Sequence, residues 1–359
     1  MFYRYRMEVE RVGNMRKRIA ICNSQVPFVR GGAELLMESL HDELKKRDFD
    51  VDIIQIPFKW YPKQQLLNTN FAWRVLDLSE SNSQKIDLVI PTKTPSYMVR
   101  HDNKVVWLVH QFRQIYDQYN TQYSSFTEAD REIMDQLKAM DNVALKEAKK
   151  IYTISKNTAD RLTRFNQMNG KVLYHPPKHY GKYYHENYGD YILSVGRLES
   201  VKRVDLLIKS LKYTDKKLRA VIAGQGPFLP HLKAITERNG LTDRVNFLGF
   251  VDDVELLKLY ANARGVFFAP FDEDYGYITL EAFLSKVPVI TTVDSGGVLE
   301  FVEDEKNGFV NKLDPEQIGK SMMRLLNDRL CREFGQSGFE KVKDINWDIV
   351  IDKLTETIR

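Results

Sequence analysis

Twice along this chain, short apolar runs rich in β-branched residues alternate with segments of helical periodicity. That doubled alternation limits the fold more than any other feature. The first series runs RIAICN, GAELLMESLHDELKK and VDIIQIPF, and reads strand, helix, strand, with Leu35, Leu36, Ser39, Leu40 and Leu44 near helical spacing. KIDLVIP and KVVWLVH are further strands, a long helical pattern covers 127–149, and IYTIS leads into the helical KNTADRLTRF. PPKHYGKYYHENYGD then breaks the periodicity, and its Pro, Gly and Tyr content suits a linker. A second series follows directly: YILSVGRL, DLLIKSLKYT, LRAVIAGQGP, PHLKAITERNG, RVNFLGFV, VELLKLYANA, GVFFAP, ITLEAFLSK, PVITTVD. Strands alternating with helices predict parallel, doubly wound α/β sheets. Two such halves place a ligand cleft between them, at the carboxyl ends of both sheets.

Length agrees, since 359 residues exceed what one ordinary core organises. We place an N-terminal extension at 1–17, a first domain at 18–183, a second at 184–340 and a closing helical segment at 341–359. No apolar run reaches the roughly 18 residues that cross a bilayer. The N-terminus has basic residues without an apolar core, so it reads as an extension rather than a secretory leader. Cys22 and Cys331 stand far apart and alone, which gives neither a metal motif nor a disulfide framework, and a reducing cytoplasm is expected. The net charge of +4 argues against a nucleic-acid partner. Its distribution is uneven: residues 1–180 carry +7 and the remainder −3. An anionic membrane surface or an acidic acceptor is therefore an expected partner of the first half, with Arg16, Lys17 and Arg18 included.

Several strand ends carry residues suited to ligand chemistry. VRGGAE places Gly31 and Gly32 where a strand turns into a helix, and a helix N-terminus offers free N–H groups to an anion. His110 and Gln111 end the strand VVWLVH, where an imidazole can bond a sugar hydroxyl or titrate. SVGRLESVKR sets Arg197 at a strand end with Lys202 five residues on, two cations able to neutralise a diphosphate. AGQGP adds a second glycine-lined turn at Gly224. FDEDYGYITLE carries Glu273 on a loop and Glu281 on the following helix. On one continuous helix these two would stand about 80° apart, but split between loop and helix both can point into a cleft. Carboxylates so placed suit vicinal hydroxyls of a sugar and a ribose, and N–H groups around Tyr275, Gly276 and Tyr277 suit further hydroxyls.

GGAE, HQ, GRL with its later lysine, GQGP and the E-x7-E pair occur here in the order and spacing of one family. The chain resembles the retaining family 4 glycosyltransferases of the GT-B fold, from about Arg18 to Val310. SKNTADRL, HPP, DSGGVLEFV and NGFV are fainter matches, and INWDIVIDKLTETIR resembles the helix that crosses back to the first domain. The resemblance implies two Rossmann-like β/α/β domains facing across a central cleft, the first binding acceptor and the second a nucleotide-sugar donor. It implies that Arg197 and Lys202 bind and stabilise the departing diphosphate, that Glu281 holds the ribose, and that Glu273 contacts the transferred sugar. Tyr275, Gly276 and Tyr277 would give backbone contacts, Gly31 and Gly32 would approach phosphates or acceptor, and His110 would contact the sugar near its reacting carbon. Ser295, Gly296 and Gly297 are expected to line the same pocket.

The implied reaction is hexosyl transfer with retention, from a UDP- or GDP-sugar to a sugar or lipid-linked acceptor. No cofactor and no metal are implied, and the setting is bacterial polysaccharide or lipopolysaccharide synthesis at the inner face of the plasma membrane. One residue departs from the pattern: Asp274 stands where the family has glycine. Three alternatives remain at this stage. Asp272-Glu273-Asp274 also spells D-x-D, a hard-oxygen motif of metal-dependent transferases. A GT-B epimerase or phosphorylase would share the architecture, and a nucleotide-sugar-binding protein without turnover would share the site.

Overall fold

A computed structural model describes residues 16–29 and 31–359; the rest of the proposed extension lies outside them. The first sheet is built from β1 (Arg18–Gln25), followed by α1 (Gly32–Lys45), β2 (Asp50–Pro57), α2 (Gln65–Val75) and β3 (Leu88–Pro91). It continues with β4 (Val105–Leu108), α3 (Arg131–Lys146), β5 (Lys150–Thr153), α4 (Lys156–Asn166) and β6 (Lys171–Val172). β2-β1-β3 and β4-β5-β6 form parallel ladders, and a parallel bridge between Val89 and Lys104 joins them. The order is therefore 2-1-3-4-5-6, and it reverses between β1 and β3.

The second sheet takes β7 (Tyr191–Val195), α5 (Val204–Ser210), β8 (Arg219–Ala223), α6 (Leu229–Arg238) and β9 (Val245–Gly249). After α7 (Asp253–Ala261) come β10 (Gly265–Phe267), α8 (Tyr277–Leu284), β11 (Val289–Thr292) and β12 (Gly308–Asn311). Its six parallel strands run β9-β8-β7-β10-β11-β12, a Rossmann order that reverses between β7 and β10. The strands are apolar on both faces, as helices on both sides require. Val266 and Val289 pack into one helical layer, while their neighbours Phe267 and Ile290 pack into the other. Each such side chain contributes about 1.5–3 kcal/mol by leaving water.

α1 buries Leu36, Met37, Leu40 and Leu44, so its inner face sits slightly off the expected stripe, with Ser39 only part-buried. The closing helices are α9 (Pro315–Arg324), α10 (Asp328–Val342) and α11 (Trp347–Thr355). α11 returns to the first sheet. Trp347 packs edge-on against Trp107 of β4 with ring centroids 6.4 Å apart, Asp348 pairs with Arg47, and Glu356 pairs with Lys150. Arg16, Lys17 and Arg18 lie at the amino end of β1, the sheet edge away from the cleft. Each has an acidic neighbour, Asp48 at 3.1 Å, Asp87 at 3.3 Å and Asp50 at 3.1 Å. No helix among the described residues is long and apolar enough to cross a membrane.

Candidate active site

In doubly wound sheets the crevice opens where strand order reverses. In the second sheet that point lies between the loops after β7 and β10, and Phe271 N–H donates to the Val201 carbonyl at 2.9 Å to join them. The helix N-termini of the two halves meet there. A Cβ on Gly32, at the start of α1, would come 3.4 Å from the ring of Tyr277, at the start of α8. Behind this contact the halves share an aromatic seam. His175 lies 4.4 Å from the Tyr275 ring and 5.3 Å from Trp107, and the Tyr275 hydroxyl donates to the His175 carbonyl at 2.7 Å.

The three acids of the loop after β10 have three different fates. Glu273 faces its own domain's cation, with Lys202 Nζ 2.5 Å from its Oε2. Asp272 faces the first domain: Arg113 Nη2 donates to it at 2.7 Å and Asn157 Nδ2 at 2.8 Å. Asp274 faces the first domain too, 2.5 Å from Arg161 Nη2 and 3.3 Å from Arg113 Nη1. Burial alone would raise the Asp274 pKa, but Arg161 and Arg113, with His110 nearby, hold it well below the usual carboxylate range. The D-x-D acids are thus answered by guanidinium groups, and no group of three or more His, Cys, Asp or Glu able to hold a metal ion occurs among the described residues.

The loop is also laced to the turn after β11. Asp272 and Glu273 N–H groups donate to the carbonyls of Asp294 and Ser295 at 2.9 and 3.2 Å, and Gly297 N–H donates back to the Glu273 carbonyl at 2.7 Å. Gly296 has φ +61°, and a Cβ there would fall 2.6 Å from the Glu273 carbonyl oxygen. Gly296 is glycine because the acidic loop lies against it. Ser295 is fully buried and its hydroxyl bonds Thr292, so it supports this turn instead of lining the cleft. Gly224 has a similar explanation: with φ +147°, its Cβ would collide with the Gly196 carbonyl oxygen at 1.9 Å. The GQG turn thus seats the GRL turn, and phosphate contact is not needed to explain it.

Arg197 is half-exposed and turned to Glu199 at 2.5 Å, so it and Lys202 are each held by an acid and do not converge on one point. Glu281 is largely buried, and the Tyr260 hydroxyl donates to it at 2.6 Å. Burial raises its pKa, against the Tyr260 hydrogen bond, which favours the ionised form. Gly31 caps α1, but its N–H already donates to the Glu34 carboxylate at 2.9 Å, and Glu34 pairs with Lys93 at 2.6 Å. His110 lies two residues past the carboxyl end of β4, on the side of the cleft. Its Nδ1 donates to the Gln111 carbonyl at 2.7 Å, which leaves Nε2 as the acceptor of a neutral ring. Burial lowers the His110 pKa, and Asp274 opposes that. A separate open groove of about 570 Å³ lies at the far edge of the first sheet, beside Lys17, Arg100, His101 and Arg359, and none of these site residues reaches it.

Comparison with known proteins bears on this arrangement. Residues 182–341 match the family of glycosyl transferases, group 1. That stretch is less than half of the chain and carries Arg197, Lys202, Glu273 and Glu281. An uncharacterized glycosyltransferase of Methanocaldococcus jannaschii is 33% identical over 162 residues, which cover 44% of this chain and 41% of that protein. The matched region thus spans about two fifths of the length of such curated relatives. Solved structures cover nearly the whole chain. Sucrose-phosphate synthase from Thermosynechococcus elongatus superposes with a TM-score of 0.77 at 16% identity, over 95% of this chain and 98% of that one. An Anabaena protein in complex with UDP and glucose does so at 0.70 and 16%, over 96% and 99%. At such identities the likeness carries the fold, which is GT-B.

Arg113, Asn157, Arg161 and Glu300 escaped sequence reasoning. Glu300 accepts the N–H groups of Lys156 and Asn157, both at 2.8 Å, and so caps α4 from the opposite domain. The faint matches SKNTADRL and DSGGVLEFV held Asn157, Arg161 and Glu300, but nothing in either segment named its partner, and Arg113 fell in no motif at all.

Proposed function

We propose that the protein is a retaining glycosyltransferase that moves a hexose from a UDP- or GDP-sugar to a carbohydrate or lipid-linked acceptor without a bound metal. The observation that carries this reading is the Lys202–Glu273 pair at the switch point of the second sheet, 2.5 Å apart, inside the segment that matches the glycosyl transferases. A cation suited to a diphosphate there adjoins a carboxylate suited to a sugar.

Donor entry would part the pair. Lys202, joined by Arg197 swinging from Glu199, would face the diphosphate and stabilise the charge that grows as the bond to the sugar breaks. Glu273 would then be free to accept sugar hydroxyls. Glu281, fixed by Tyr260, would hold the ribose, and His110 would offer Nε2 from across the cleft. Closure of the domains would exclude water that otherwise consumes the donor. Metal independence is supported by the pairing of Asp272 and Asp274 with arginines. Retention, and a place in bacterial polysaccharide or lipopolysaccharide synthesis on the cytoplasmic side of a membrane, are carried over from the family resemblance. The acceptor side is supported by the exposed Phe28 and Tyr61, on loops that leave the carboxyl ends of β1 and β2 at the cleft edge.

The test is a thermal-shift panel of UDP, GDP, ADP and dTDP, each with EDTA. A ligand specific for the folded state stabilises it by about 2.7 kcal/mol at a hundredfold excess over Kd. Stabilisation by one diphosphate, abolished in Lys202→Ala, supports the reading. Stabilisation only after Mn²⁺ is restored overturns its metal-free part, and no stabilisation by any of the four overturns the donor assignment.

A further inference from the structure

Asp274 occupies the place where the resembled family has glycine, and its surroundings give it a task. The loop that bears Glu273 is gripped from both domains. Its own domain supplies backbone pairing with the turn after β11 and the Lys202 contact on Glu273. The first domain supplies further side chains: Arg113 on Asp272, Arg161 on Asp274, and Asn157 on both Asp272 and the Glu273 carbonyl, the last at 2.9 Å. Tyr123 of the first domain also stacks on Phe271, with centroids 5.0 Å apart.

Arg161 is the informative member. Its side chain is 6% exposed, and none of its three guanidinium nitrogens has a well-aligned hydrogen bond. Its charge is answered by the Asp274 carboxylate alone among the described ion pairs. A buried charge with a single partner makes the position of that partner costly to change. With glycine at 274 this tie could not exist.

We infer that Arg161 and Asp274 are a positioning pair through which the first domain holds the Glu273 loop in place, so that recognition of the donor sugar requires the two domains to be together. Neither residue touches the reacting atoms; both act through Glu273. The nucleoside diphosphate, held by Lys202, Arg197 and Glu281 of the second domain, needs no such help. This step rests on the proposed donor site, while the grip on the loop stands without it.

Two measurements on the full chain separate the parts. The first is amide hydrogen exchange of the ligand-free protein. In Arg161→Met/Asp274→Ala, which removes both charges together and leaves neither buried alone, residues 272–275 exchange at least tenfold faster, with β11 unchanged. Asn157→Ala, which leaves the ion pair in place, gives a smaller change of about threefold at the same residues, and decides the matter if the pair variant does not fold. Unchanged exchange in the folded variants overturns the inference, because the second domain's own contacts would then hold the loop unaided. The second compares UDP with UDP-glucose, and GDP with GDP-mannose, by calorimetry. The variant keeps the diphosphate Kd within about threefold and loses the added affinity contributed by the sugar, about tenfold or more. A retained sugar increment overturns the positioning role. A wild-type protein that binds none of these probes overturns the donor reading and not the grip, which exchange reads without ligand.

Discussion

Lys202 Nζ lies 2.5 Å from Glu273 Oε2, so the cation proposed for a diphosphate and the carboxylate proposed for a sugar hold each other. The two substitutions should therefore act in opposite directions. Lys202→Ala removes a charged hydrogen-bond donor, worth about 1.5–3 kcal/mol, and weakens diphosphate binding roughly 10- to 100-fold. Glu273→Gln releases Lys202 from its competitor, so the same diphosphate binds as well as to wild type or better, while sugar transfer falls by about a hundredfold or more. Calorimetry with UDP and GDP reads the first effect, and nucleotide release from the matching sugar nucleotide reads the second. Equal weakening in both variants would sink the assignment of roles.

Glu300 caps α4 across the domain boundary, taking two backbone N–H groups and the Tyr174 hydroxyl at 2.7 Å. Glu300→Ala leaves those donors unpaired at a helix N-terminus and should cost about 1–2 kcal/mol, in the range of a lost cap. Urea unfolding measures it. An unchanged midpoint would mean that water replaces the carboxylate at no cost.

How much of this was legible in the sequence depends on the range of each interaction. The strands, the two switch-point loops and the Glu273/Glu281 spacing are local patterns, and the structure places them where periodicity and order indicated. Glycines misled in part. Gly224 and Gly296 mark close backbone approach, which a sequence cannot tell from room left for a phosphate. The partners of the acidic loop were out of reach. Arg113 and Asp272 are 159 positions apart, and Asn157 and Asp272 are 115 apart. No local pattern selects Arg113 or Arg161 over any other surface-like arginine; the docking of the two sheets selects them.

Asp141 is a second buried carboxylate, on α3 and away from the cleft. It accepts the Tyr116 hydroxyl at 2.7 Å, and burial pushes its pKa up from 3.8 to about 7 against that bond. The folded state therefore keeps a proton that the unfolded chain releases between these values. Stability should fall as pH rises across that window and level off above it, by an amount on the order of 3–4 kcal/mol. Asp141→Asn still accepts from Tyr116, and its amide can reach the otherwise unpartnered Tyr97 hydroxyl. It should flatten the slope and exceed wild-type stability above pH 7. Urea midpoints from pH 5 to 8 decide this, and parallel slopes for the two proteins would show that Asp141 is not the titrating group.

Glu281 offers a test of the proposed ribose site that does not rely on turnover. Its pKa is raised by burial, and the Tyr260 hydroxyl at 2.6 Å works against that by favouring the ionised form. An ionised carboxylate is the better acceptor for two ribose hydroxyls. Nucleotide affinity should then weaken as pH falls through the raised pKa. Tyr260→Phe removes the opposing bond and raises the pKa further, so the loss of affinity should begin at higher pH in the variant. Pyrophosphate has no ribose, and its binding through Lys202 and Arg197 should show no such displacement between the two proteins. Calorimetry of UDP, GDP and pyrophosphate across pH 5–8 separates the cases. A displacement that appears equally with pyrophosphate would place the effect of Tyr260 on the fold of the second domain instead of on the ribose.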